Sequence, residues 1–305
     1  MTARQQKGGR DSLSCLVVGA DGQVGSVAAG ELGARGCQVT GTTRRTESVE
    51  EGRPFLDLSL PPQEWPDLPS CDAVVICSAV TSIAACEDDP EGTALVNLHG
   101  PLHLADMFRE RGAFVLFLSS TGVFDFTRPY RRHDEAPSPA SAYGRQKAEA
   151  EARILELDGK TAVLRLTKVM GPDMPILKTW CADLAAGREI TAFHNSTIAP
   201  ITPAFAARMI HKIVSFEGEG IFHVSGDEDV PYTALAEKLV SAMGLEKGLI
   251  DARAGDVQGR LPTSVTRFTT LDMSRERDLF SISASSSLVT ITETADSLAC
   301  CGRVA

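Results

Sequence analysis

The sequence predicts a doubly wound α/β fold, a parallel sheet with helices on both faces, followed by a smaller C-terminal α/β lobe. Three observations lead there. Short, almost wholly apolar runs alternate with helical stretches, the pattern of parallel strands covered on both faces. A glycine-rich turn joins the first such run to an Ala-rich helix. Beyond Gly171 the even rhythm of strand and helix breaks down, which marks a change of architecture.

Ser14-Cys15-Leu16-Val17-Val18 is the first strand, and it runs into Gly19-Ala20-Asp21-Gly22-Gln23-Val24-Gly25 and a helix to about Gly36. A second strand over Cys37–Thr42 completes a βαβ unit. The glycines let the backbone turn sharply and approach a pyrophosphate, while the helix behind them offers free N–H groups and its positive dipole end. This is the arrangement of a Rossmann-type nucleotide site. Arg53–Leu58 reads as a third strand, and a Pro-rich loop around Trp65 follows it. Cys71–Ala79 reads as a fourth strand ending in small residues, and Glu91–Arg111 as one helix. Ala113–Leu118 is an unbroken apolar run that ends in Ser119-Ser120-Thr121-Gly122-Val123. Strand C-terminal ends are where open α/β sheets gather their chemistry.

The stretch Ser141-Ala142-Tyr143-Gly144-Arg145-Gln146-Lys147 opens the next helix. Residues four apart share a helical face, so the Lys147 ammonium is expected beside the Tyr143 phenol, stabilising its ionised form. Such a phenol serves as an acid or base near neutral pH. Thr161–Thr167 is another buried strand. Further on, helices are expected over Leu177–Ala186, Ala204–Phe216 and Pro231–Met243, with strands at Ile190–Phe193 and Ile221–Gly226. From Ser281 the chain is Ser/Thr-rich and only weakly helical in pattern.

Composition narrows the function classes. A chain of 305 residues with net charge −10 and no basic runs is not built for nucleic acid or a membrane surface. Residues 1–12 read as a loose polar tail without a signal-peptide core, and no later run is long and apolar enough to span a bilayer. The eight cysteines lack Cys-x-x-Cys spacing and sit mostly in apolar runs, which suits buried thiols in a reducing cytoplasm. His99 and His103 have no accompanying carboxylate set, so no metal site is expected.

The spacing Gly19-x-x-Gly22-x-x-Gly25 resembles the extended short-chain dehydrogenase/reductase superfamily. After the second strand a free ribose 2′-hydroxyl is usually met by an acidic residue, whereas this chain reads Thr43-Arg44-Arg45. Hydroxyl and guanidinium groups suit a 2′-phosphate, so NADPH is expected, with NADH as a second carrier. The resemblance further implies cofactor contacts at Asp57, Leu58, Ser78, Ala79, Val80, Asn97 and Thr167, beside Asp21, Gln23 and Val24 of the glycine turn.

Within that superfamily, Ser119-Ser120-x-x-Val123-Phe124-Asp125, Pro137-Ser138-Pro139 and Tyr143-Gly144-x-x-Lys147 resemble the dTDP-4-dehydrorhamnose reductase family. That likeness implies Ser120, Tyr143 and Lys147 as the catalytic trio, with Ser119 and Thr121 as the alternative hydroxyls, and Thr81, Ser120, Thr121, Gly122, Val123 and Lys168 toward a nucleotide-sugar substrate. Two departures stand out. Thr121-Gly122 occupy the place of the family's Asp-Tyr, and Met170 stands where a Tyr is usual. The C-terminal correspondence is imperfect, with Arg260-Leu261-Pro262 and Arg267-Phe268 in place of an Arg-Pro pair.

The expected organisation is an NADP-binding domain over 13–171 with a returning segment at about 198–225, and a substrate-binding lobe from 172–197 and 226–305. The leading expectation is an NADPH-dependent reductase of a 4-keto-6-deoxy nucleotide sugar, and the fold's preference for pairing allows a homodimer. An NAD-dependent epimerase or dehydratase on the same scaffold would want an acidic residue where Thr43-Arg44-Arg45 stand. The non-catalytic regulatory subunits of methionine adenosyltransferase are similar to this family and retain the Tyr and Lys, which leaves a cofactor-binding partner protein as the alternative.

Overall fold

The computed structural model describes residues 12–255 and 265–302. Its strands are β1 Ser14–Val18, β2 Gln38–Gly41, β3 Ala73–Ile76, β4 Phe114–Ser120, β5 Thr161–Leu166, β6 Ile190–Phe193, β7 Thr197–Ile198, β8 Gly220–Val224, β9 Val230–Pro231 and β10 Ile250–Arg253. Six of them form one parallel sheet in the order β2-β1-β3-β4-β5-β8. The order reverses between β1 and β3, so the C-terminal ends of these two strands open a crevice of the kind that holds a ligand.

Why the apolar runs are continuous follows from what covers the sheet. Helix α1, Gln23–Ala34, lies on one face, and alternate strand residues such as Val17, Leu116, Leu164 and Phe222 form a core there. The residues between them, Leu16, Val74, Phe117 and Val163 among others, form a second core on the opposite face. With both faces dry, the usual polar alternation disappears.

Helices α2 Ile83–Asp88, α3 Pro90–Ala94 and α4 Gly100–Glu110 follow β3. The single helix expected over Glu91–Arg111 is interrupted by a π-helical turn, Leu95–His99. Pro101 in the first turn of α4 has no N–H to donate and would crowd the carbonyl of Asn97, so the wider turn absorbs the conflict there. His103 lies one turn after His99, its Nδ1 3.3 Å from the His99 carbonyl and its ring packed edge-on against Trp65.

The expected third strand is reduced to one parallel bridge, Thr43 with Phe55. Leu56 N–H donates to the Thr43 carbonyl at 2.8 Å, but Pro54 brings an acceptor without a donor, and Asp57 turns the chain by accepting from Ser59.

Helices α5 Ala142–Leu155, α6 Pro175–Ala185 and α7 Pro203–Phe216 come next, and α7 packs beside α1 on the sheet. A third core, built from Met170, Leu177, Trp180, Leu235, Leu239 and Ile291, unites α6 with α8 Tyr232–Ala242 and the small β6/β10 and β7/β9 pairs. Helix α9 Ser274–Phe280 sits along β8, where Arg275 donates to the Ile221 and Glu219 carbonyls. The C-terminal segment is more regular than its composition suggests. It forms α10, Ser287–Gly302, because Ile291 and Ala295 recur on one face and pack into the third core. Arg260, Leu261 and Pro262 lie outside the described residues. Among the described residues, no helix is long and apolar enough to cross a membrane.

Candidate active site

At the end of β1, Gly19 takes φ +83°, and a Cβ on Gly25 would stand 2.2 Å from the Gly19 carbonyl oxygen. Only glycines allow the turn to press this closely on α1. The helix begins at Gly22 without a side-chain cap, which leaves its first N–H groups, over Gln23, Val24 and Gly25, free to meet an anion.

Beside this turn lies a polar cluster that local sequence reasoning did not foresee. The Asp21 carboxylate accepts from the Thr43 hydroxyl at 2.5 Å and pairs with Arg53. Partial burial opposes its ionisation, but the Thr43 and Arg53 hydrogen bonds outweigh that and hold the carboxyl below its ordinary range. Thr43 is therefore buried and engaged, while Arg44 and Arg45 reach into solvent at the rim of the crevice. Asp57 accepts from the Ser59 N–H and hydroxyl, and Leu58 is packed in the core beneath α4.

Ser78, Ala79 and Val80 continue from β3 along the crevice, with Thr81 exposed beyond them. Asn97 holds this segment from behind. Its Oδ1 accepts from Val80 N–H at 2.8 Å, and its Nδ2 donates to the Val80 carbonyl and to Gln146 Oε1. With the side chain fully buried and its amide committed, Asn97 shapes the crevice wall without facing into it. Gln146 completes the brace by donating to the Pro90 carbonyl and Thr93.

Tyr143, Lys147 and Ser120 come together at the ends of β4 and α5. Ser141 caps the helix by accepting from Gly144 N–H, and Glu87 accepts from Ala142 N–H. A Cβ on Gly144 would stand 2.2 Å from the Gly122 carbonyl oxygen, so the helix start is pressed onto the Ser120 loop. Ser120 accepts from Gly122 N–H at 3.0 Å, and its hydroxyl favours ionisation of the Tyr143 phenol. Burial is the larger influence and pushes the phenol up to about 12.

Lys147 is 1% exposed; its Nζ has no hydrogen-bond partner among the described residues and sits 3.7 Å from the centre of the Phe117 ring. Burial lowers it to about 7, and Glu151 and the Cys77 thiol push the other way. The expected acidification of the phenol by the ammonium is thus reversed by desolvation, which keeps the phenol protonated. Two more buried hydroxyls at the C-terminal end of the sheet, Ser119 Oγ and Thr167 Oγ1, also lack a partner among the described residues. Polar atoms left over at this end of the sheet fit a ligand that brings hydroxyls and phosphates.

The substrate-side residues separate into two groups. Gly122 lies against Tyr143, where a Cβ would come 3.4 Å from the ring, and Lys168 is exposed just past β5. Thr121 donates to the Thr269 carbonyl and Val123 is wholly buried with Phe124 and Leu271, so these two anchor the loop to the C-terminal lobe. The pair Glu151 and Arg165, buried behind Lys147, escaped the sequence reading of the site. The available signal was an arginine in the middle of an apolar strand and a glutamate on the buried face of the helix.

Comparison with known proteins agrees with this fold. The RmlD substrate binding domain family matches residues 13–286. A probable low-salt glycan biosynthesis reductase of Haloferax volcanii is 27% identical, over 79% of this chain and 83% of its own. The dTDP-4-dehydrorhamnose reductase of Streptomyces griseus is also 27% identical, over 85% and 86%. The methionine adenosyltransferase 2 subunit beta of Xenopus laevis is 27% identical over a shorter reach, 56% and 54%. Among solved structures, the dTDP-4-dehydrorhamnose reductase of Bacillus anthracis in complex with NADP superposes with TM-score 0.78 at 18% identity, covering 93% of this chain and 98% of that one.

Proposed function

This chain belongs to the RmlD substrate-binding domain family, and from that premise we propose that it is an NADPH-dependent reductase of the 4-keto group of a nucleotide-activated 4-keto-6-deoxy sugar. The observation that carries the reading is the buried, partnerless Lys147 ammonium one helical turn from Tyr143, with Ser120 beside the phenol.

NADPH, when bound, supplies the hydride that reduces the ketone carbon. The protein's residues do the rest. The uncapped start of α1 and the Gly19 to Gly25 turn hold the pyrophosphate, Arg44 and Arg45 take the 2′-phosphate, and Ser78 to Val80 with Thr167 line the crevice. Lys147 holds ribose hydroxyls. Tyr143 keeps its proton at neutral pH and delivers it from the phenol oxygen to the carbonyl oxygen, while Ser120 orients that oxygen and shares its developing charge. Gly122 and Lys168 face the sugar, and the lobe built on α6, α8 and α10 covers the nucleotide.

The test offers purified protein dTDP-4-keto-6-deoxyglucose and its epimerised isomer, follows NADPH absorbance, and runs NADH in parallel. NADPH oxidation that disappears in Tyr143→Phe, with NADP+ affinity unchanged, is the expected result. Binding of NADP+ without turnover of either sugar would overturn the substrate assignment and favour a cofactor-binding partner protein, as the likeness to methionine adenosyltransferase 2 subunit beta suggests.

A further inference from the structure

Behind Tyr143 and Lys147 the same face of α5 carries a third polar side chain. Residues 143, 147 and 151 are spaced four apart, so they stack one turn above another. Glu151 is 2% exposed, in the dry layer between α5 and the sheet. A carboxylate stays ionised there only with a close partner. That partner is Arg165 on β5, 1% exposed, whose Nε donates to both Glu151 oxygens at 3.1 Å and whose Nη2 donates to Oε2 at 2.6 Å. The guanidinium rests 5.0 Å from the centre of the Phe124 ring. Buried pairs like this are often no more stable than apolar residues of the same size, so stability alone does not account for one placed against a catalytic helix face.

The pair is oriented. Glu151 lies one helical turn beyond Lys147 and two beyond Tyr143 on α5, whereas Arg165 stands opposite His223 in the β5–β8 register. Its negative end therefore points toward the phenol and ammonium, and its positive end toward β8. Among the described residues, the titratable groups facing Lys147 are Cys77 after β3 and Tyr143 and Glu151 on its own helix; β4 presents the Phe117 ring and β5 turns Arg165 onto Glu151. Glu151 is thus the carboxylate that supplies a counter-charge.

We infer that Glu151, held ionised by Arg165, is a positioning residue that keeps the Lys147 ammonium charged in its dry slot, ready to hold the cofactor. This rests on the cofactor reading above. Arg165 serves the same end one step removed, by keeping the carboxylate from taking up a proton. Burial works against the charged Lys147, and Glu151 is the first of the groups that oppose it.

The experiment is NADP+ affinity by titration calorimetry as a function of pH, for the wild type and Glu151→Gln, which preserves shape and removes charge. Wild-type affinity is expected to fall as pH rises through the Lys147 ionisation. In E151Q that fall should move to lower pH by about one unit or more, with acid-side affinity retained. Should E151Q fail to fold because Arg165 is stranded, the double variant E151M/R165M removes both charges and carries the test, with the same downward shift expected. Binding intact with an unshifted midpoint in the folded variant overturns the inference alone. A wild type that binds no NADP+ at any pH overturns the cofactor reading and this inference with it.

Discussion

The Lys147 ammonium lies 3.7 Å from the centre of the Phe117 ring, and this aromatic face stands in for the hydrogen bonds that Nζ lacks among the described residues. A ring face attracts a cation but does not replace its lost hydration. The unliganded protein therefore carries an unfavourable burial that a ligand with hydroxyls would relieve.

That burial gives a stability prediction with a definite sign. The unfolded chain keeps the Lys147 proton to the ordinary lysine range, whereas the folded protein releases it near about 7. Between those limits the unfolded state binds more protons, so stability rises with pH across the window, and the penalty is full below it. Lys147→Met should stabilise the unliganded protein by on the order of 3 kcal/mol at about pH 6, with the gain shrinking toward about pH 10. Urea denaturation at the two pH values checks it, and a gain independent of pH would contradict it.

The buried pair behind the lysine predicts a non-additive series. Arg165→Met leaves the Glu151 carboxylate without its bidentate partner and should cost about 3–5 kcal/mol. Adding Glu151→Met should recover most of that loss, since the pair itself contributes little net stability. Denaturation midpoints of the wild type, both single variants and the double variant form the cycle. Equal losses that simply add would mean the two side chains act independently.

The packing of α5 on the Ser120 loop makes Gly144 sensitive to a single methyl group. A Cβ there would sit 2.2 Å from the Gly122 carbonyl oxygen, which is backbone and cannot swing aside. Gly144→Ala should force the helix start away from the loop, destabilising the fold by about 1–3 kcal/mol. Because Tyr143 is the adjacent residue, turnover should fall further than stability alone accounts for, whereas NADP+ affinity should fall less. Thermal unfolding and steady-state kinetics on the same preparation separate the two effects.

What was legible in the sequence was local. The strand β1, the glycine turn and the Tyr143 to Lys147 spacing each lie within a few residues, and backbone sterics or helical periodicity fix their meaning. The continuous apolar runs require both faces of the sheet to be covered, whereas the order β2-β1-β3-β4-β5-β8 is set by long-range strand pairing that no single run specifies. The polar pairs were harder to read. Asp21 meets Arg53 across 32 positions, and Glu151 meets Arg165 through the packing of α5 on β5, so no local pattern announces either. The resemblance assigns Asn97 to the support of a local backbone network, and the π-helical turn before Pro101 carries its amide to the Val80 backbone, where it makes that brace. The expected third strand failed for a local reason that was present in the text, a proline inside the run at position 54.

The arginines at the rim of the crevice and the carboxylate behind them predict a divided response to the two nicotinamide cofactors. Arg44 and Arg45 are exposed, so their guanidinium groups are open to a 2′-phosphate, while Thr43 is committed to Asp21. Removing both charges in Arg44→Ala/Arg45→Ala should weaken NADP+ by roughly tenfold or more and leave NAD+ nearly unchanged, because only the phosphate draws on charge-assisted hydrogen bonds there. Asp21→Asn acts in the opposite sense. It removes a negative charge beside the same site and loosens its hold on Arg53, so NADP+ should bind more tightly, with the gain diminishing at high salt. Titration calorimetry with both cofactors at low and high ionic strength reads all four effects. Equal loss of NADP+ and NAD+ in the double arginine variant would show that these side chains support the fold of the loop and do not read the phosphate.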